Sequence, residues 1–276
     1  MAAHIEMYIR GPYDKVNTRT GACPTCHEYT LAFSVLQEAM PNLLTTLDIV
    51  PFTPENPPPI LKEYGNGKRF PVLFVKEGKD SKGIDMSNTV CDTTDEIEGL
   101  LDRFNCTRLH GRRDSVEEAE AEKAFDSLYV KFMAYIKNPD KDAKGILREL
   151  MKLNEHLGRQ QEKGLRFAVE DHLTLADCYV LPKVHHIRIA GKAYRDFDIP
   201  LDLIHLWRYL ENCYNQKIFV RSCPADKDIV EFYRAKTPIK PNMEATKVML
   251  GPVTLTLDVP AEVAQHPPRE NGENGD

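Results

Sequence analysis

The chain has 276 residues, 42% hydrophobic and 28% charged, an ordinary globular composition with room for one large domain or two modest ones. A net charge of -6 excludes the basic footprint of a nucleic-acid binder, so no nucleic-acid partner is expected. Residues 1–10 hold no signal-peptide run, and no stretch approaches the roughly 20 apolar residues that cross a bilayer. A cytoplasmic, soluble protein is the expectation. Seven cysteines, odd in number and irregularly spaced, then read as reduced thiols rather than a disulfide framework.

Residues 5–9 alternate and predict a strand. Residues 11–22 read as a polar loop. Residues 24–40 predict an amphipathic helix with Tyr29, Ala32, Phe33, Leu36 and Met40 on one face. His27, Thr30, Ser34 and Glu38 fall on the other. A second strand is expected at 44–50, a proline-rich loop at 51–59 and a third strand at 70–76. Residues 84–86 read as the hairpin partner of that third strand, and 92–104 as a helix. The first hundred residues thus alternate strand and helix.

Beyond Asn105 the pattern changes. Residues 108–120 are charged and read as a linker or an exposed helix start. Phe125, Leu128, Phe132 and Tyr135 then form one helical stripe, and Ile146, Leu150, Leu153 and Leu157 another. Further helices are expected at 173–189, kinked by Pro182, and at 203–214. A mixed α/β half followed by an all-helical half predicts a first domain over 1–105, a helical domain over 106–237 and an extended, mobile tail over 238–276. Within that tail, residues 253–259 alternate like a strand that could dock. The acidic end, 269–276, reads as mobile.

The chemistry concentrates at Cys23-Pro24-Thr25-Cys26. Cys23 falls at the N-cap of the first helix, where unpaired N–H groups and the helix dipole favour thiolate over thiol. Pro24, at the first helical position, sacrifices no hydrogen-bond donor. Cys23 is therefore the candidate nucleophile and Cys26, one turn in, the candidate resolving thiol. A purely structural thiol pair fits the same spacing. Zinc would need two further ligands, and no second C-x-x-C or C-x-x-H occurs, so no metal is expected. Phe70-Pro71 opens the third strand. An ordinary trans proline suits that place; a cis bond would leave the Phe70 backbone free to pair with a peptide-like ligand. Asp92-Thr93 precedes a helix, where it could cap the helix or bind an amine and carboxylate. Thr174 and Asp177 form an S/T-x-x-D capping box, a structural feature. Trp207, Cys178, Cys213 and Cys223 read as packing. His185 and His186, being adjacent, do not share a helix face and are not expected to bind metal.

Several longer segments resemble the chloride intracellular channel (CLIC) family, nearest its invertebrate branch. They are Gly21 through Tyr29, Phe132 through Asn138, Leu173 through Cys178, His186 through Lys192, Tyr194 through Pro200, Leu206 through Leu210 and Ser222 through Ile229. The resemblance covers about residues 5–233. It implies a glutathione-transferase-like fold, a thioredoxin-like N-terminal domain followed by an all-helical one. It implies glutathione as cofactor and partner, held by Cys23, by Phe70 with a cis Pro71, and by Asp92 with Thr93. It also implies a protein that associates with or enters membranes as a chloride channel, the proposed span mapping to about 23–46. Such a protein would be monomeric when reduced and prone to oligomerise on oxidation. Two alternatives stand beside the channel: a glutathione-dependent thiol–disulfide oxidoreductase, and a non-catalytic scaffold for cytoskeletal proteins or membranes. The chain departs from the family's vertebrate members at Cys26, where they carry serine, so an intramotif disulfide becomes available. The basic stretch of some members is reduced here to Lys192 through Arg195.

Overall fold

The computed structural model describes residues 2–12, 20–52, 57–63, 70–110 and 116–264. The tail 269–276 and the middles of the loops expected at 11–22, 51–59 and 108–120 lie outside these residues.

The N-terminal domain runs β1 (Ala3–Arg10), α1 (Pro24–Ala39), β2 (Leu44–Phe52), α2 (Pro59–Glu63), β3 (Val72–Glu77), β4 (Thr89–Cys91) and α3 (Thr94–Phe104). Its strands form one sheet in the order β2-β1-β3-β4. β2 lies parallel to β1, the pairing that a helical crossover such as α1 permits, while β3 and β4 join antiparallel. One face of the sheet packs on α1. The other holds a small cluster of Tyr8, Phe52, Leu61 and Val72 under α2. The helical domain comprises α4 (Thr107–His110), α5 (Val116–Phe125), α6 (Leu128–Lys137), α7 (Lys144–Glu162), α8 (Leu175–Arg195), α9 (Ile204–Tyr214), α10 (Lys217–Ser222) and α11 (Asp226–Arg234). α12 (Met243–Leu250) and α13 (Ala261–Ala264) follow. A single apolar core runs through both domains.

Three expectations change on folding. The polar face of α1 is solvated only at its C-terminal end, where Glu38 is exposed and Ser34 half-buried: His27 is 3% exposed and Thr30 4%, and the neighbouring Glu28 is 8%. The helical domain covers that face with α8 and α10, so α1 is sandwiched between two layers and its amphipathic pattern is blunted. The hairpin partner of β3 is β4, not residues 84–86. Those residues belong to a loop in which the Asp80 carboxylate accepts the N–H groups of Lys82 (2.9 Å) and Ile84 (2.8 Å). The stripe from Phe125 to Tyr135 is buried as a face but divides between α5 and α6 at Asp126–Ser127. α8 continues as one element through Pro182.

Residues 253–259 dock in extended form without joining a sheet. The Asp226 carboxylate gathers the Thr254 hydroxyl (3.0 Å), the Thr256 hydroxyl (2.9 Å) and the Thr256 N–H (3.1 Å). Arg188 donates to the Thr256 carbonyl at 3.1 Å. Leu255, Leu257 and Val259 turn onto the core.

Candidate thiol site

Strand register brings the predicted site together. Tyr8, near the end of β1, pairs with Val72, and Leu73 pairs with Cys91. The loop leaving β1 toward Cys23, the Phe70–Pro71 step entering β3 and Asp92 leaving β4 therefore meet at one end of the sheet. The Phe70–Pro71 peptide bond is cis.

Cys23 caps α1 in extended conformation, half-buried, and Pro24 takes the first helical position. The Cys23 thiol is lowered to about 7, first by a hydrogen bond from the Cys26 thiol. The Cys26 and Thr25 N–H groups and the Arg10 charge act the same way, against burial. Burial pushes the Cys26 thiol well up, so the proton shared by the pair rests on Cys26. Gly21 makes this loop possible. A Cβ there would lie 2.3 Å from the carbonyl oxygens of both Arg10 and Gly11. Its N–H donates to the Arg10 carbonyl at 3.1 Å.

Asp92 and Thr93 are half-buried. The Thr93 hydroxyl accepts the Glu96 N–H at 3.3 Å, and the Glu96 carboxylate returns bonds to the N–H groups of Asp92 (2.9 Å) and Thr93 (3.1 Å). Thr93 and Glu96, rather than Asp92, thus cap α3. Thr174 and Asp177 lie apart from the thiol, buried at the start of α8. The Asp177 carboxylate accepts the Thr174 N–H and hydroxyl, each at 2.9 Å, and the Ala168 N–H at 2.9 Å.

The sequence reading missed what the helical domain contributes. Ser222 on α10 holds both flanks of the cysteine loop. Its carbonyl accepts the Thr20 hydroxyl at 2.6 Å. Its hydroxyl donates back to the Ile218 carbonyl at 2.9 Å, leaving its oxygen to accept from His27 Nε2 at 3.1 Å. His27 also stacks on Phe219, with ring centroids 5.2 Å apart, and burial pulls its pKa down to about 3. The charge on Cys23 is coupled electrostatically to Arg10, Tyr129, Tyr233 and Lys236. Arg10 and Lys236 both lie over the Phe232 ring, at 6.0 and 4.1 Å from its centroid. Only Tyr129 gave a local signal: it is an aromatic one residue off the apolar stripe. A separate cleft of about 490 Å³ opens among α1, α3, α5 and α8, lined by Glu28, Glu98, Glu122 and Tyr179, none of them predicted. Among the described residues no group of three or more His, Cys, Asp or Glu side chains could hold a metal ion.

The family described as glutathione S-transferase, C-terminal domain, matches residues 118–212. The chain is 29% identical over 255 residues to the chloride intracellular channel Clic of Drosophila melanogaster, covering 90% of this chain and 86% of that protein. The crystal structure of the CLIC homologue EXC-4 from C. elegans matches with a TM-score of 0.72 at 22% identity, over 96% of this chain and 97% of that one. Dehydroascorbate reductase of Chlamydomonas reinhardtii matches at 0.61 and 19% identity, over 84% and 98%. The chain is thus similar in sequence to a chloride intracellular channel protein and is built on the glutathione-transferase-like fold.

Proposed function

We propose that this chain is a CLIC-type protein whose N-terminal domain performs glutathione-dependent thiol–disulfide exchange at Cys23. The observation that carries this reading is the asymmetry of the thiol pair. The half-buried Cys23 thiol is lowered to about 7, so a large share of it is thiolate near neutral pH, and Cys26 keeps its proton in the core. The Cys23 thiolate attacks a disulfide sulfur and becomes part of a mixed disulfide. Glutathione or Cys26 then releases it. The extended backbone before cis Pro71 suits the peptide portion of glutathione, and the Asp92 carboxylate suits its γ-glutamyl amine. The test is glutathione-dependent reduction of a small mixed disulfide by the wild type, Cys23→Ser and Cys26→Ser. Activity lost in Cys23→Ser supports the reading, and activity kept in Cys26→Ser makes the mechanism monothiol. An inactive wild type refutes it.

The likeness to a protein named as a chloride channel favours a second reading, conditional membrane association of a cytoplasmic protein with anion conduction. No helix among the described residues is long and apolar enough to cross a membrane. Insertion of the 23–46 region would first have to withdraw Glu28 from Lys183, its partner at 2.9 Å. A charge at the centre of a span costs about 2.5–3.5 kcal/mol on insertion scales. Ion flux across vesicles exposed to oxidant or low pH tests this reading, and vesicles that stay tight under both triggers reject it.

A further inference from the structure

The cleft among α1, α3, α5 and α8 encloses about 490 Å³, room for a small ligand, and thiol exchange makes no use of it. Its floor is apolar, made by Phe125, Leu175, Ala176 and Tyr179. Its walls are acidic: Glu28, Glu98, Glu118, Glu122 and Asp126 line them, against Lys123. Glu118, Glu122 and Asp126 stand four residues apart. The Asp126 N–H still bonds the Glu122 carbonyl at 2.8 Å, so the three share one stripe of α5 and its last turn. The stripe runs about 12 Å at 1.5 Å per residue. Like charges at that spacing repel one another, and carboxylates gathered along low-dielectric walls concentrate cations.

Glu28 forms the inner end of the cleft. It is 8% exposed, and the Lys183 ammonium reaches its Oε2 at 2.9 Å. Among the described residues nothing donates to its Oε1, so a carboxylate more than nine-tenths buried brings an unmet acceptor to the cleft wall. The same corner shows which chemistry it holds. Lys183 Nζ lies 2.9 Å from the centroid of the Tyr179 ring, so an ammonium already rests between an aromatic face and this carboxylate. A metal ion needs carboxylates that converge on one point, and among the described residues no three could hold one. The charges are instead strung out beside an apolar floor.

We propose that this cleft binds a linear aliphatic polyamine. One terminal ammonium donates to Glu28 Oε1, the methylenes lie on Phe125, Leu175, Ala176 and Tyr179, and the other ammonium groups pair with Glu118, Glu122 and Asp126. A triamine with three- and four-carbon spacers has the reach of the α5 stripe. Such a ligand bridges α1 of the N-terminal domain and α5 of the helical domain, so its binding also ties the two domains together. This site goes beyond the thiol-exchange reading and does not rest on it.

The experiment is titration calorimetry of the full chain with two trications, spermidine and hexaamminecobalt(III), the second compact and without methylenes. Spermidine should bind at least about tenfold more tightly, the margin that a few buried methylenes supply. Glu122→Gln/Asp126→Gln should weaken spermidine about fivefold, as the loss of two exposed ion pairs permits. Asp140→Asn/Glu155→Gln removes the same charge from exposed positions outside the cleft and should change the affinity less than about twofold. Ala176→Phe fills the floor and should abolish binding, with an unchanged circular dichroism spectrum showing that the variant folds. Equal affinity for the two trications, or equal weakening by the two double variants, leaves only diffuse attraction between charges and overturns the proposal. So does a wild type that takes up no spermidine at about 1 mM, where only weak complexes remain unformed. None of these results bears on exchange at Cys23.

Discussion

Replacing Lys183 by methionine strands a carboxylate between the two domains. Glu28 on α1 and Lys183 on α8 are 2.9 Å apart, each side chain about 10% exposed. Burial raises the Glu28 pKa and lowers that of Lys183, and the pair's attraction opposes both shifts. Without Lys183, Glu28 avoids a buried charge by taking up a proton. From its ordinary value of 4.5 that costs about 1.36 kcal/mol per pH unit, at most roughly 3 kcal/mol at pH 7 and less than about 1 at pH 5. The figure at pH 7 meets the low end of the roughly 3–5 kcal/mol observed when one member of a buried pair is removed. The sign follows from linkage. A carboxyl with a raised folded pKa contributes stability that is complete below its unfolded pKa and is lost as pH rises toward the folded one. The deficit of Lys183→Met should therefore widen from pH 5 to pH 7, by at most roughly 2–3 kcal/mol because the wild-type carboxyl is itself raised, which is a difference of up to about 10 °C in melting temperature. Urea and thermal unfolding of wild type, Lys183→Met and Glu28→Gln/Lys183→Met at both pH values measure it. The double variant should recover most of the loss and remove the pH dependence. A deficit that is the same at pH 5 and pH 7, or a double variant no more stable than the single, refutes the reasoning.

Two further outcomes follow from local geometry. Cys26→Ala removes the hydrogen bond that contributes most to lowering the Cys23 thiol. The midpoint of Cys23 alkylation by iodoacetamide should therefore move up from about 7, whereas an unchanged midpoint would credit the helix N-terminus alone. Asp226→Ala removes the acceptor shared by Thr254 and Thr256. Limited proteolysis within 251–264 should accelerate at least about fivefold, the three lost bonds contributing about 1 kcal/mol each, while the melting temperature falls only slightly. Unchanged cleavage would mean that Leu255, Leu257 and Val259 hold the segment by themselves.

The elements whose pattern is local were readable from the residues alone. β1 alternates as its exposure does, and α7 buries Ile146, Leu150, Leu153 and Leu157 on one stripe. Pro24 marked the start of α1, and Asp92-Thr93 the start of α3. What failed depended on partners distant in sequence. His27, Thr30 and Glu28 are polar residues on a helix that looked half-solvated. Nothing within 24–40 announces the second layer that buries them. The turn at 84–88 resisted because its N–H groups find scattered partners, Ile84 on the Asp80 carboxylate, Ser87 on that of Asp85, and Met86 and Asn88 on the Gly78 and Val75 carbonyls, and the strand begins only at Thr89. Around the thiol, the chemical identity of Cys23 and Cys26 was visible, and their surroundings were not. Arg10, Tyr129, Ser222 and Lys236 come from four separate places in the chain and share no motif.

Ser222 makes the cysteine loop answerable to a helix 200 residues away. Its carbonyl and its hydroxyl hold Thr20 and His27, the two flanks of the C-x-x-C turn, so the loop keeps its shape only while α10 stays seated on α1. The rate at which Cys23 is labelled is then a gauge of interdomain closure. Any partner, lipid surface or temperature that lifts α10 would be read first as a change in thiol chemistry, before either domain melts.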